Sequence, residues 1–321
     1  MKGVPETVAN RSWWVKWKYG PRDRSRRVPS FFIIGPPRTG TSWLYEILRK
    51  RTLLPSRTKE TRFFDAYFDR GLKWYQAHYP AAAGRWPIGE VAPTYFASEA
   101  ARHRMAELVP HARIICVFRN PAERVFSLFR VKRAYGMIPW SFEEALLLDP
   151  ELTESSRYAT YLKAWLKTFG AGNVLPTVYD DLRDSPQNFM NTVADFIGIP
   201  RFCLNASEIR SVHSSESMTH PRCYFRTRSA TRVADWLKAR HFGPVVSAVK
   251  KSPVSKLFLG GGPAFAGLSR EVAEGVQRLF LREVEELEAM LQRDLSAWKP
   301  YDGDLPHPRL PDFNDEFRAA V

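Results

Sequence analysis

The chain has few of the features on which several classes of protein depend. Its 321 residues include three cysteines, with no C-x-x-C pair and no spacing typical of a metal site. No run approaches the roughly 18 apolar residues of a membrane span, and the first residues contain no apolar segment of a secretory leader. We therefore expect no structural zinc and no transmembrane segment. We expect reduced thiols, with a Cys203–Cys223 pair as the alternative.

What the chain has in excess is positive charge, with a net value of +14. Residues 1–30 hold eight Lys or Arg against two acidic residues, interleaved with Trp13, Trp14 and Trp17. A basic surface suits an anionic nucleotide, an acidic glycan, nucleic acid or a membrane surface. The composition predicts a basic N-terminal arm over 1–27, a single domain over 28–300 and a C-terminal tail over 301–321. The arm is either solvated or in peripheral contact with a membrane.

Apolar strand-like runs alternate with helical patterns, which is typical of an α/β protein. The predicted strands are Phe31–Ile34, a short run from Ile88 stopped by Pro93, Ala112–Phe118 and Asn173–Tyr179. The predicted helices include 43–51, 97–109, 186–198 and 269–295, whereas the polar stretch 203–232 is predicted as a long loop. This order indicates a three-layer fold with a mostly parallel central sheet and helices on both faces. Ligands of such sheets bind at the carboxyl ends of strands, here at Arg38, Glu90, Arg119 and Tyr179.

The loop after the first strand has the features of an anion-binding site. Residues 35–43 read Gly-Pro-Pro-Arg-Thr-Gly-Thr-Ser-Trp and lead from the strand into a helix, whose first N–H groups and dipole attract phosphate or sulfate. The loop is not a Walker A motif, because Thr41 stands where that motif has Lys. An ordinary strand-to-helix turn capped by Thr or Ser is the alternative for this stretch alone.

A second motif makes the interpretation more specific. Arg119 ends a strand, Pro121 begins a helix, and Ser127 follows eight residues after Arg119, so that both side chains can reach one phosphate. The two motifs together resemble those of sulfotransferases that use 3′-phosphoadenosine-5′-phosphosulfate (PAPS). Three further segments, Lys59–Asp65, Gly71–Tyr75 and Gly89–Phe96, are similar to the glycosaminoglycan-type branch, which includes the heparan sulfate sulfotransferases. The resemblance implies the P-loop-NTPase-like sulfotransferase fold.

The resemblance also implies a cofactor, its binding residues and a mechanism. PAPS would be the donor, 3′,5′-ADP (PAP) the product, and no metal is needed. The 5′-phosphosulfate would be held by Arg38, Thr39, Gly40, Thr41 and Ser42, and the 3′-phosphate by Arg119 and Ser127. Trp43 and Tyr179 match positions near the adenine, with a core role for Trp43 as the open alternative.

On the acceptor side, the resemblance makes Glu60 the general base, with Arg38 the cation at the reacting phosphosulfate. Lys59 and Glu90 are expected to contact the acceptor. Two departures from the family pattern stand out. Arg38 replaces the more common Lys and cannot act as an acid at neutral pH, and Val91 replaces a Lys of the 3-O-sulfotransferases. A C-terminal cofactor loop is expected around Arg222, Arg226 and Arg228.

The expected function is sulfuryl transfer from PAPS to a hydroxyl or amine of a glycan or a small-molecule natural product. The alternatives are a P-loop nucleotide kinase and a non-enzymatic basic protein that binds nucleic acid. The loop sequence counts against the kinase, and no nucleic-acid-binding module is recognisable, so nucleic acid is not an expected partner. We expect a cytoplasmic enzyme, with the Golgi lumen as the alternative if an anchor has been removed.

Overall fold

The fold is built on a four-stranded parallel sheet. The computed structural model of the chain describes residues 28–80, 86–210, 219–239, 249 and 261–301. The predicted arm and all but the first residue of the predicted tail lie outside these residues. The strands are β1 (Phe31–Gly35), β2 (Gly89–Val91), β3 (Arg113–Phe118) and β4 (Val174–Val178), in the spatial order β2-β1-β3-β4. All three pairings are parallel, so the four carboxyl ends lie at one edge.

The central strands are buried on both faces, as their continuous apolar sequences predict. Alternate side chains of β1 and β3 enter two separate cores. Phe32, Ile34, Ile114, Cys116 and Phe118 belong to the larger core. Phe31, Ile33, Ile115 and Val117 belong to the smaller one. The three-layer α/β prediction is confirmed, because each face of the sheet is covered by its own set of helices.

The helices connect the strands in chain order. Their bounds are α1 (Thr41–Leu48), α2 (Gly71–Gln76), α3 (Glu99–Leu108), α4 (Pro121–Ala134), α5 (Phe142–Leu148), α6 (Pro150–Glu154), α7 (Tyr158–Phe169), α8 (Tyr179–Asp184), α9 (Pro186–Ile197), α10 (Ala206–Arg210), α11 (Tyr224–Ala239), α12 (Arg270–Leu279) and α13 (Leu281–Leu291). Helices α1 and α9 pack on the smaller core. Helices α3, α4 and α7 pack on the larger core, together with α12 and α13.

Two predictions about the C-terminal part are wrong. The stretch predicted as a loop over 203–232 contains α10, β5 (Thr219–Pro221) and most of α11, and β5 pairs antiparallel with β6 (Gly261–Ala264). Helix α11 has no continuous apolar stripe, and tertiary contacts support it. The Thr231 hydroxyl donates to the Tyr135 carbonyl (2.7 Å), just beyond the end of α4.

The predicted single helix over 269–295 is two helices. Phe280 leaves the helical angles (φ −107°, ψ 9°) between α12 and α13, and its ring is buried in the larger core. The break turns Leu279 outward, where it is 41% exposed, although the helical stripe predicts that it is buried. Val276, Val284 and Leu287 are buried as the stripe predicts.

Three properties of the described part of the chain bear on its chemistry. None of its helices has the length and apolar character needed to cross a bilayer. It contains no group of three or more His, Cys, Asp or Glu side chains placed to hold a metal ion. Cys116 is buried, while Cys203 and Cys223 are exposed and each is a free thiol.

Candidate active site

The loop between β1 and α1 is a tight turn that few sequences could adopt. Arg38 and Gly40 both have left-handed backbone angles, with φ 74° and 86°. A Cβ on Gly40 would lie 2.5 Å from Leu182 and 3.2 Å from Tyr179, so the position requires glycine. The hydroxyl of Thr39, which is buried, donates to the Pro36 carbonyl across the turn (2.7 Å). Thr39 therefore closes the loop, and only its backbone N–H is left for a ligand.

The second motif begins where β3 ends. Asn120 caps α4 by accepting from the Ala122 N–H (3.0 Å), and Pro121 occupies the first turn, as predicted. The Tyr158 hydroxyl donates to the Arg119 carbonyl (2.8 Å) and fixes the strand end. Arg119 and Ser127 are thus held at the strand end and two turns into the helix.

The structure brings these two motifs together at the carboxyl edge of the sheet. Arg38 Nε donates to Ser127 Oγ over 3.0 Å, which joins the loop to α4. The Arg119 guanidinium lies over the Tyr179 ring, 4.7 Å from its centroid, and Tyr179 also packs against Gly40. Residues predicted from two distant motifs therefore line one site.

Positive charge is concentrated at this site. Burial lowers the pKa of Arg38, and the neighbouring positive charges of Arg119 and Arg130 lower it further. Arg119 forms a salt bridge with Glu123, whose Oε2 lies 2.7 Å from Nη2. Arg130 was not among the predicted site residues. Its position three residues after Ser127 places both on one side of α4, and this spacing is the signal that could have identified it.

The predicted base, Glu60, lies beside a lysine that contacts the first turn of α1. Lys59 Nζ lies 3.2 Å from Glu60 Oε1 and donates to Ser42 Oγ over 2.9 Å. Ser42 is exposed in the first turn of α1. Glu60 and Lys59 are both partly buried, with side chains 28% and 30% exposed. The structure therefore brings Glu60, Lys59 and Ser42 together.

A buried anchor holds the Glu60 segment in place. Glu90 accepts hydrogen bonds from the Thr61 N–H (3.1 Å), the Thr61 hydroxyl, Tyr75 (2.6 Å) and Tyr95 (3.2 Å). Burial raises the pKa of Glu90 to about 7, although these hydrogen bonds oppose the shift. Phe63 and Phe64 are buried in the larger core beside it. Glu90 has no exposed surface, so the structure corrects the prediction that its side chain contacts the acceptor.

Trp43 is a second predicted site residue that is buried in the structure. Its side chain is 7% exposed and packs in the smaller core with Leu44 and Ile47. The indole N–H donates to the Glu208 carbonyl (2.8 Å). These contacts are those of the core alternative, and a contact between Trp43 and the adenine stays a prediction.

The arginines of the predicted C-terminal cofactor loop lie near the end of α4. Arg228 donates to the Tyr224 hydroxyl (3.0 Å), and its backbone lies against Gly136, where a Cβ would come within 2.8 Å of Arg228 N. Arg222 and Arg226 are exposed. A cofactor role for these residues stays a prediction.

Comparison with known proteins assigns the family. A family model described as "Sulfotransferase domain" matches residues 29–242. The chain belongs to the sulfotransferase family. Among its relatives, the bifunctional heparan sulfate N-deacetylase/N-sulfotransferase 1 of Xenopus laevis is 31% identical over 196 residues, which is 54% of this chain and 22% of the relative. The human bifunctional heparan sulfate N-deacetylase/N-sulfotransferase 3 is 28% identical over 245 residues, which is 69% of this chain and 28% of the relative.

This sulfotransferase chain thus spans about a quarter of the length of those relatives. A solved structure with a similar fold is the sulfotransferase from Alicyclobacillus acidocaldarius, with a TM-score of 0.61 and 20% sequence identity over 84% of this chain and 98% of that one. The predicted sulfotransferase fold and the predicted likeness to heparan sulfate sulfotransferases are both confirmed. Neither alternative function is favoured by this family.

Proposed function

We propose that the protein transfers the sulfuryl group of PAPS to a hydroxyl or amine of an acceptor. The observation that carries the proposal is the hydrogen bond from Arg38 to Ser127. It brings an anion-binding loop and a second anion-binding motif to one site, next to the Glu60 carboxylate. A nucleotide with phosphates at its 3′ and 5′ positions has the two anions that such a site requires.

The 5′-phosphosulfate belongs in the loop, at the first N–H groups of α1. The helix dipole, the Arg38 guanidinium and the Ser42 hydroxyl supply positive charge and hydrogen-bond donors there. The 3′-phosphate belongs with Arg119 and Ser127 at the start of α4. We propose that Tyr179, which lies under the Arg119 guanidinium, contacts the nucleoside. Thr41 is buried and contributes its N–H to the same helix start.

The reaction is an in-line displacement at sulfur, in which positioning and electrostatic stabilisation dominate. The acceptor lone pair forms the new bond to sulfur, and the bridging S–O bond breaks. Its electron pair stays on the 5′-phosphate, so that 3′,5′-ADP leaves. Glu60 accepts the proton of the acceptor as general base, and Arg38 balances the charge that develops on the phosphate. The protein side chains thus provide the anion site and the proton acceptor of this reaction.

The acceptor that we propose is a glycan with a free hydroxyl or amine. The similarity to heparan sulfate N-sulfotransferases supports this class, and the positive charge of the chain suits an acidic polysaccharide. A small-molecule acceptor is the second candidate, because Val91 stands where a glycan-specific branch has Lys. Screening both classes decides between them.

The proposal is tested by transfer of ³⁵S from labelled PAPS to N-desulfated heparan sulfate and to a panel of small phenols. We expect label in at least one acceptor with the wild-type protein. The Glu60→Gln variant should bind 3′,5′-ADP normally and transfer about 10²–10⁴-fold more slowly. If Glu60→Gln transfers at the wild-type rate, Glu60 is not the base. If the wild type labels nothing and does not bind 3′,5′-ADP, the proposed function is wrong.

A further inference from the structure

Lys59 is expected from its resemblance to contact the acceptor, and the proposed reaction gives it no further task. Its ammonium group contacts two elements, the first turn of α1 through Ser42 (2.9 Å) and the Glu60 carboxylate (3.2 Å). In the proposed reaction, the first turn of α1 holds the 5′-phosphate and Glu60 faces the acceptor. The transferred sulfuryl group must pass between these two positions. Lys59 Nζ is thus beside the path of transfer.

The cation of the loop itself is bonded to α4. Arg38 Nε donates to Ser127, and the positive charges of Arg119 and Arg130 act on it. Arg38 thus links the 5′-phosphosulfate loop to the residues proposed for the 3′-phosphate. Its guanidinium also keeps its proton at neutral pH, so it holds charge but does not supply a proton. A second cation beside Ser42 would face the negative charge that is spread over the equatorial oxygens of the transferring group.

The segment that carries Lys59 is fixed by its neighbours. The Thr58 hydroxyl donates to the Glu60 carbonyl (3.1 Å), and Thr61 bonds to the buried Glu90 through both its N–H and its hydroxyl. The Lys59 side chain is only 30% exposed. An ammonium group placed by a buried anchor is preorganised, which is the property that makes electrostatic stabilisation effective in catalysis.

We propose that Lys59 is a catalytic residue whose ammonium group contacts the equatorial oxygens of the transferring sulfuryl group and stabilises their charge in the transition state. The inference rests on the proposed function. No proton leaves Lys59. The S–O bond to the 5′-phosphate breaks as the bond to the acceptor forms, and the acceptor proton goes to Glu60. Lys59 therefore acts on the transferred group, whereas Arg38 and Arg119 act on the nucleotide.

The nucleotide product separates this role from plain cofactor binding, because 3′,5′-ADP lacks the sulfuryl group. We expect Lys59→Gln to bind 3′,5′-ADP like the wild type in a calorimetric titration and to transfer ³⁵S from PAPS about 10²–10³-fold more slowly. Lys59→Arg should recover part of the rate. Lys73→Gln, which removes an exposed lysine on α2, is the matched control and should resemble the wild type.

Chemical rescue tests the ammonium group directly. Lys59→Cys should be inactive and should regain transfer after treatment with 2-bromoethylamine, which rebuilds a lysine-like side chain on the thiol. Wild-type protein treated in the same way controls for modification of the exposed Cys203 and Cys223. Normal 3′,5′-ADP binding by each variant shows that it is folded.

Three results would overturn the inference while leaving the proposed function intact. The first is wild-type transfer by Lys59→Gln. The second is a loss of 3′,5′-ADP affinity equal to the loss of rate, which would make Lys59 a nucleotide-binding cation only. The third is a Lys59→Cys variant that binds 3′,5′-ADP but gains no activity on aminoethylation. Failure of the proposed function itself is recognised separately, because the wild type would then neither bind 3′,5′-ADP nor transfer label.

Discussion

At the scale of single residues, the salt-bridge partner of a cation affects how that cation can bind an anion. Arg119 pairs with Glu123 through Nε and Nη2 (2.9 and 2.7 Å), and its side chain is 23% exposed. A phosphate is a stronger partner for a guanidinium, because it binds in the same bidentate way as a carboxylate and carries more charge. We therefore expect the 3′-phosphate to compete with Glu123 for Arg119.

The first residue-scale prediction concerns this arginine. Arg119→Ala should weaken 3′,5′-ADP binding by at least about tenfold, since a hydrogen bond to a charged group contributes about 1.5–3 kcal/mol. Binding of 5′-AMP, which lacks the 3′-phosphate, should change little. Calorimetric titration with both nucleotides measures the difference. Arg49→Ala, at the exposed far end of α1, is the control, and an equal loss for both nucleotides would exclude a 3′-phosphate role.

The second residue-scale prediction concerns the buried carboxyl of Glu90, whose pKa is raised from 4.5 to about 7. The folded protein therefore holds this proton more tightly than the unfolded chain. Its stabilising contribution is complete below the unfolded pKa and is lost as pH rises through about 7, by up to about 3 kcal/mol.

Urea unfolding at pH 5 and pH 8 tests the Glu90 prediction. The free energy of unfolding of the wild type should fall between these pH values relative to that of Glu90→Gln, which keeps the shape of the side chain without its titration. Subtracting the unfolding free energy of one protein from that of the other cancels the contributions of the titratable groups that both share. A difference that does not change with pH, or that changes with the opposite sign, would contradict the assigned pKa shift.

At the scale of elements, the strand–loop–helix unit from β1 to α1 determines the site. Its turn depends on the left-handed backbone of Gly40 and on the lack of a side chain there, because Leu182 and Tyr179 fill the space. Glycine is the residue that reaches such angles without strain. The same contact places Tyr179 beside the loop. The ring that lies under Arg119 therefore also packs against the turn at Gly40.

The element-scale prediction is that Gly40→Ala disrupts this unit. The substitution should cost about 1–3 kcal/mol of folding free energy and should also weaken 3′,5′-ADP binding, because the loop N–H groups lose their alignment. Gly172→Ala is the matched control, since a Cβ there meets no atom within 4 Å. Urea unfolding and nucleotide titration of both variants provide the test, and equal behaviour of the two alanine variants would show that the loop tolerates a side chain.

The success of the sequence predictions also differs between elements. The four strands of the parallel sheet were predictable because turn residues bound each of them and three are mostly apolar runs. The two anion motifs follow directly from strand ends. Helix α11 was missed because its sequence carries no apolar stripe and is supported by contacts with the end of α4. The break at Phe280 was missed because one ring entering the core interrupts an otherwise regular helical pattern.

Two of the predicted site residues, Glu90 and Trp43, are buried for a common physical reason. Glu90 and Trp43 each lie next to a predicted functional position, and both are polar or amphipathic residues that sequence alone associates with ligands. Their hydrogen-bonding groups are satisfied inside the protein, by Thr61, Tyr75 and Tyr95 for Glu90 and by the Glu208 carbonyl for Trp43. Except for Tyr95, these partners lie 15 or more residues away in the sequence, so a local motif gives no sign of them.

At the scale of the whole molecule, the parallel sheet explains why motifs far apart in the chain form one site. All four strands end at the same edge, so the loop after β1, the arginine after β3 and the tyrosine after β4 become neighbours. The anchored segment before β2 brings Lys59 to Ser42 in the first turn of α1, with Glu60 beside Lys59. The nucleotide and the acceptor are thus proposed to meet at the first turn of α1.

The thermal unfolding of the wild-type protein with 3′,5′-ADP tests the central claim most directly. Saturating 3′,5′-ADP at about a hundred times its dissociation constant should stabilise the fold by about 2.7 kcal/mol and raise Tm by several degrees. The stabilisation should not require Mg²⁺ and should exceed that given by 5′-AMP. An unchanged Tm at millimolar 3′,5′-ADP, or stabilisation by ATP that depends on Mg²⁺, would contradict a PAPS site and favour a kinase.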